Sequence, residues 1–252
     1  MATFVLVHGA WHGGWCWSRV TPHLRAAGHA VYTPTMTGFG ERSHLLSPDV
    51  GLETNVMDIA NVLEWESLTD VILVGASYGG MVTTSVADRM PERIAALIYI
   101  NAFIATDGVS QNDMLPDWRR QMIEEEIAAD PDAWRMPAPT PELLGIDRKD
   151  DAAWVAAKMT TQSAKTFRDR AAITGAIDAI TNRTYVRATG YRNSTFDENI
   201  RMYEEHPTWR AEVLETSHDA MITAVDGTVR ILKEVAETTR GTQRAAPLGA
   251  AP

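Results

Sequence analysis

Cysteine is almost missing from this chain: Cys16 is the single one in 252 residues, so no internal disulfide can form. A reducing, cytoplasmic setting is therefore the default expectation. Long apolar runs are missing too, and none approaches the roughly 20 residues of a membrane span. The first apolar stretch is short and has no basic region before it, so no signal peptide is expected. Positive charge is scarce, with 23 Lys and Arg against 33 Asp and Glu and a net charge of −10. A nucleic-acid partner needs clustered cations and is not expected. No Cys/His cluster has metal-ligand spacing, and no Walker or dinucleotide glycine pattern occurs. These absences point to a globular protein acting on a small molecule, with neither metal nor cofactor called for.

What is present is a strand that ends in a particular turn. Val71-Ile72-Leu73-Val74 runs into Gly75-Ala76-Ser77-Tyr78-Gly79, and a helical pattern follows to Met90. A buried strand turning sharply into a helix with serine at the apex is the context of a nucleophile elbow. Side chains at Gly75 and Gly79 would collide where the helix passes the strand. By itself the pattern is weak, since glycine and serine are common in plain turns.

Two further segments support it. Phe4-Val5-Leu6-Val7 reads as a short buried strand, and His8-Gly9-Ala10-Trp11-His12-Gly13-Gly14 follows at once. Such a turn can aim a backbone N–H at a developing oxyanion, and the residue after the nucleophile supplies a second. That assigns the oxyanion hole to Ala10 and Tyr78; a glycine-rich surface loop is the plainer alternative for the turn. Near the other end, Thr216-Ser217-His218-Asp219 follows a strand pattern at 211–214 and precedes an amphipathic helix. Of the seven histidines, His218 is best placed to meet Ser77 at the carboxyl edge of a parallel sheet. His8 and His12 are expected to organise the oxyanion turn, and His23, His29, His44 and His206 to face solvent.

Strand patterns at 4–7, 30–33, 71–74, 96–100, 184–188 and 211–214 alternate with helical patterns at 17–27, 53–65, 78–90 and 220–237. Alternation of this kind predicts an α/β fold, a mostly parallel doubly wound sheet of about six strands. It lapses for about eighty residues after Ile100. That stretch is rich in Met, Trp and Pro and reads as an inserted helical cap. The expected organisation is a core of 1–103 and 182–240, a cap of 104–181, and a disordered tail of 241–252. Most cap Met and Trp residues serve packing, but Trp118, Trp134 and Trp154, with Trp11 of the oxyanion turn, are candidates to enclose a substrate. Exposed apolar cap residues leave a homodimer open.

The chain resembles the α/β-hydrolase superfamily, in the branch of plant methylesterases, hydroxynitrile lyases and bacterial esterase relatives. The residues that carry the resemblance are Val5 to Trp15, the Gly75 to Gly80 elbow and the Ser217-His218 loop. It implies a serine hydrolase cleaving a small, largely apolar ester, aromatic or polyketide-type esters included, with Ser77 as nucleophile and His218 as base. Lyases of this branch carry a lysine after the catalytic histidine and a threonine in the oxyanion turn. Here Asp219 and Ala10 stand at those positions, and both departures favour ester hydrolysis.

The third triad member is where the pattern breaks. Relatives place an acid just after the strand at 184–188, yet Thr189-Gly190-Tyr191-Arg192-Asn193 has no carboxylate. Other superfamily members carry it at the end of the strand after the elbow helix, where this chain has Asn101. Asn101 is therefore the third candidate catalytic residue, with Asp107, Asp197 and Glu198 as displaced alternatives; Asp197 also reads as a helix N-cap. An amide can orient an imidazole but brings no charge. Two other readings stay open: lyase, cofactor-free oxygenase or other tailoring chemistry with His218 as base, and non-catalytic binding of a small apolar molecule.

Overall fold

A computed structural model describes residues 1–245. Six parallel strands form one sheet: β1 (Thr3–Val7), β2 (Ala30–Tyr32), β3 (Val71–Ala76), β4 (Ile94–Ile100), β7 (Arg183–Ala188) and β8 (Trp209–Leu214). Their order is β2-β1-β3-β4-β7-β8. All six expected strands are present. A short antiparallel pair, β5 (Arg135–Met136) and β6 (Gln162–Ser163), lies in the insertion, where the sequence reads as helical.

Alternation along the strands explains why the sheet is covered on both faces. Val5 and Val7 of β1 join Leu73 and Tyr99 in one cluster with Val56, Ile59 and Val82 of the flanking helices α2 (Leu52–Trp65) and α3 (Gly79–Arg89). Phe4 and Leu6 point the other way and join Ile72, Ile98, Trp17 and Leu24 with Ile231, Leu232 and Val235 of the last helix. Helix α1 (Thr21–Ala26) is shorter than the pattern at 17–27 predicts. Pro22 accounts for this, because proline is tolerated only in a helix's first turn. The stretch before it is a 3₁₀ turn, Gly14–Trp17.

The last helical pattern is also divided. Ala220–Thr223 forms a single turn, Ala224 leaves the helical region at φ −134°, and Val225–Ala245 continues. Thr223 Oγ1 exchanges hydrogen bonds of 2.7 Å with the hydroxyls of Thr216 and Ser217, which fastens that turn to the His218 loop. Positions 241–245 of the expected tail continue the helix, and 246–252 lie outside the described residues. Of the four histidines expected to face solvent, His29 departs: it is buried edge-on against Phe4, and Nδ1 accepts from Ala2 N.

Between β4 and β7 the insertion carries the helices Gln111–Met114, Asp117–Ala128, Lys149–Ala156 and Lys165–Arg168. Two carboxylates tie it to the core. Asp169 accepts from Leu52 N at 3.0 Å and so caps α2 in place of Gly51, which has no side chain to do it. Asp88, near the end of α3, accepts from Thr174 N, Gly175 N and Ile177 N, where the chain returns toward the sheet. Burial alone would raise the Asp88 pKa, but these hydrogen bonds outweigh it and hold the carboxyl below its ordinary range.

Candidate active site

Ser77 sits at the apex of the β3–α3 turn with φ +53°, a left-handed conformation that costs an L-residue energy. Its carbonyl accepts from Gly80 N at 3.0 Å and Phe103 N at 3.2 Å, which fixes the strained turn. The glycines are demanded by crowding. A Cβ on Gly75 would stand 2.5 Å from Thr83 Oγ1, and one on Gly79 would stand 2.6 Å from the His8 carbonyl.

The turn after β1 runs alongside. Trp11 has φ +62°, and both of its peptide groups are held by the insertion: N–H donates to Gln162 Oε1 at 2.7 Å, and the carbonyl accepts from Thr160 N at 2.9 Å. His8 Nδ1–H donates to the Gly9 carbonyl while Nε2 accepts from Met36 N, so this ring is neutral. Burial pushes its pKa down to about 3. Among the described residues, neither Ala10 N–H nor Tyr78 N–H has a hydrogen-bond acceptor. The Tyr78 ring is fully buried away from them, with its hydroxyl donating to Asn55 Oδ1 at 2.8 Å.

His218 lies in the loop after β8, its N–H donating to the Leu144 carbonyl at 2.8 Å. Tyr191, from the segment where relatives carry an acid, instead brings its ring to 4.3 Å from the imidazole, and Phe196 stacks at 5.9 Å. The partner of His218 Nδ1 is Asn101 Nδ2, at 2.9 Å. Asn101 has φ +47° at the end of β4, a conformation asparagine tolerates well. Its Oδ1 accepts from Arg187 Nη1 at 2.9 Å and from Ala188 N at 3.1 Å. Two donors on that oxygen leave only the NH₂ group to face the ring. Nδ1 must then accept, so the neutral imidazole carries its proton on Nε2.

Two of the three displaced carboxylates are occupied elsewhere, and Glu198 is exposed. Asp197 pairs with the buried Arg187 at 2.7 Å, and Asp107 accepts from Ile173 N at 3.0 Å. Burial, together with the charges of His12, Arg187 and Arg119, lowers the His218 pKa to about 4, against the opposing pull of Asp219.

Asp219 has a different partner. Its Oδ2 lies 3.0 Å from His12 Nε2, while His12 Nδ1 lies 2.7 Å from the Ala10 carbonyl. Both neighbours of His12 are acceptors, so the ring carries two protons and forms a buried ion pair. Burial would lower the His12 pKa, but the Asp219 carboxylate raises it above the ordinary value. Burial likewise pushes Asp219 up, and His12 more than reverses it.

Ser77 and His218 line two adjoining cavities. The smaller, with room for about one water, is closed by Ala10, Trp11, His12 and Asp219. The larger opens beneath the insertion, with Trp118 at its half-exposed rim and Phe103, Phe167 and Tyr191 inside. Trp134 and Trp154 are not among the residues lining it. The Trp134 ring lies under Arg135 at 4.5 Å, and Trp154 packs edge-on against Trp15 at 5.1 Å with Arg19 over its ring at 4.8 Å.

The family profile described as alpha/beta hydrolase family matches residues 4–231. The chain belongs to that family. It is 38% identical over 231 residues to the carbendazim hydrolyzing esterase of Nocardioides sp. (strain SG-4G), covering 88% of this chain and 94% of that one. It is 34% identical to Methylesterase 9 of Arabidopsis thaliana over 127 residues, half of each chain. Among solved structures, an extracellular α/β-hydrolase from a Paenibacillus species superposes with a TM-score of 0.78 at 22% identity, over 95% of this chain and 99% of that one. Tomato methylketone synthase I gives 0.78 at 17% identity, over 94% and 98%. At such identities the two structures speak for the fold alone. Relatives of this α/β-hydrolase are thus named for ester hydrolysis, and the chain is a carboxylic-ester-hydrolase-like member of the family.

Several residues that shape the site escaped the sequence reading. Gln162, Arg187 and the pairing of Asp219 with His12 depend on contacts across 86 to 207 positions. No local spacing announces such contacts. Asp219 adjoins His218, and in the sequence it stands out only for the lysine it replaces.

Among the described residues there is no cluster suited to a metal ion, and no helix is long and apolar enough to cross a membrane.

Proposed function

We propose that this α/β-hydrolase cleaves a small, largely apolar carboxylic ester by acyl transfer to Ser77. Ser77 Oγ attacks the ester carbonyl, and His218 takes the proton and returns it to the leaving alcohol. The N–H groups of Ala10 and Tyr78 hold the tetrahedral oxyanion, and water releases the acid from the acyl-enzyme. Removing one such donor typically costs about 2.7–4 kcal/mol of barrier stabilisation. The observation that carries this reading is the cavity that Ala10, Ser77 and His218 share. The names of the relatives support the bond type.

Asn101 is a positioning residue in this scheme. It gives the imidazole an orientation but no charge, and its NH₂ group favours the tautomer with the proton on Nε2. Only the minor tautomer, protonated on Nδ1, can accept the serine proton. Replacing the acid by an amide has cost on the order of 10⁴ in turnover in a serine protease for that reason. Hydrolysis of p-nitrophenyl butyrate should therefore be measurable but slow, and Ser77→Ala and His218→Ala should each abolish it. Equal rates for the parent and both variants would end the proposal.

The same hydrogen bond favours a second reading. A neutral His218 that presents Nε2–H is a hydrogen-bond donor, suited to holding an enolate oxygen in lyase or other tailoring chemistry. Turnover that survives Ser77→Ala but not His218→Ala would select it.

A further inference from the structure

Arg119 and Gln111, both from the insertion, line the larger cavity together with Ser77 and His218. Arg119 is 6% exposed, and no carboxylate pairs with it among the described residues. Among the described residues its guanidinium meets only weak partners: Nη1 lies 3.3 Å from Met122 Sδ, and the group sits 5.8 Å from the Trp11 ring centre. Gln111 is 2% exposed, and among the described residues its Oε1 has no hydrogen-bond partner.

Buried arginine without an anion is rare, because removing a guanidinium from water costs far more than apolar contacts return. A buried acceptor without a donor is similarly uncommon and calls for an explanation. Here the two line one cavity, opposite in hydrogen-bonding sense, together with aromatic rings. Packing alone would have been served by a leucine and a methionine.

We infer that this pair recognises the substrate. Arg119 takes an anionic oxygen acceptor, a carboxylate, remote from the scissile carbonyl, and Gln111 Oε1 takes an N–H or O–H of the same molecule. Guanidinium and carboxylate meet as two parallel hydrogen bonds, which sets the ligand's orientation as well as its affinity. Phe103, Phe167 and Tyr191 supply the flat apolar surface for a ring between the carboxylate and the ester. The substrate class is thus a small aromatic ester bearing a second, free carboxylate and an N–H or O–H donor; the carboxylate is the part that Arg119 reads. This depends on the ester-hydrolase reading for the bond that breaks, but not for how the molecule is held.

The test compares monomethyl terephthalate with methyl 4-methylbenzoate, two esters of one skeleton differing in the remote group. The parent protein should show a kcat/KM at least tenfold higher for the carboxylate ester. Arg119→Gln should lower that ratio at least tenfold, and Arg119→Lys should lower it less, because lysine keeps the charge but loses the fork. Calorimetry with Ser77→Ala protein should find the carboxylate ester bound at least tenfold more tightly, whatever happens to turnover. Equal affinities in that titration, or a kcat/KM ratio that survives Arg119→Gln, would overturn the inference. If Arg119→Gln does not fold, the lysine variant and the titration decide. Turnover of neither ester alongside a preserved affinity ratio would count against the hydrolase reading and in favour of this one.

Discussion

Asn101 Nδ2 donates to His218 Nδ1 across 2.9 Å, and the amide cannot turn over because Arg187 and Ala188 N–H occupy its oxygen. The imidazole is therefore held neutral, with its proton on Nε2. An aspartate in the same place would accept from all three neighbours: Arg187, Ala188 N–H and a proton on His218 Nδ1. The local framework already suits a carboxylate.

Asn101→Asp should accordingly raise kcat/KM for p-nitrophenyl butyrate, by tenfold or more against a full acid effect on the order of 10⁴. The carboxylate should also lift the His218 pKa from its depressed value. Steady-state kinetics at several pH values would show both. An unchanged or lower rate in a well-folded variant would mean that His218 is not limited by its tautomer.

In the parent protein the acid limb of kcat/KM should fall near pH 4, where His218 titrates, and not near its ordinary 6.5. Activity should be nearly flat between pH 6 and 8. An acid limb centred near 6.5 would show that the imidazole is better solvated than its packing against Tyr191 and Phe196 implies.

Stability should carry the same signature. His8 and His218 have folded pKa values of about 3 and about 4, against 6.5 for an ordinary histidine. Between those values and 6.5 the unfolded chain binds more protons at these two positions, so their contribution to stability is complete above about pH 6.5 and is lost as pH falls toward 4. A shift of this size in His218 corresponds to about 3 kcal/mol at the acid end. Denaturant melts across this range should show a shallower acid decline for His218→Asn than for the parent. Identical declines would contradict the assignment.

The ion pair of His12 with Asp219 should be costly to break on one side. Asp219→Ala leaves a buried imidazolium without its partner and should destabilise by about 3–5 kcal/mol. It should also slow turnover, because His12 holds the Ala10 carbonyl and with it the oxyanion turn. A melting temperature within a degree of the parent would show that the pair contributes nothing.

Glycine substitutions separate crowding from backbone strain. Gly79→Ala puts a methyl 2.6 Å from the His8 carbonyl and should prevent a folded elbow, whereas Gly28→Ala, at φ +81° with nothing within 4 Å, meets only the left-handed penalty. That penalty is about 1–2 kcal/mol. Expression and thermal melts of the two variants should differ accordingly, and a well-folded Gly79→Ala protein would refute the close approach.

Much of this architecture is legible locally. Val71 to Val74 declare a buried strand by their side chains, and Gly75-x-Ser77-x-Gly79 declares the turn by what cannot fit there. The loop position of His218 follows from the strand before it. What stayed hidden depends on long-range partners. In the sequence Asn101 reads as one candidate among several, and only the occupied oxygen of its amide reveals which atom faces His218. Trp118, Trp134 and Trp154 looked alike as apolar insertion residues. Only the folded arrangement sends Trp118 to the cavity rim and the other two against Arg135 and Trp15. His29 reads as a polar surface residue, yet a backbone N–H from Ala2 and the edge of Phe4 draw it inside.

The most direct test is intact-mass analysis followed by peptide mapping after exposure to a fluorophosphonate. One adduct on Ser77, absent from Ser77→Ala and slowed in His218→Ala, is the predicted result. An unmodified Ser77 in protein that still turns over esters would contradict the account.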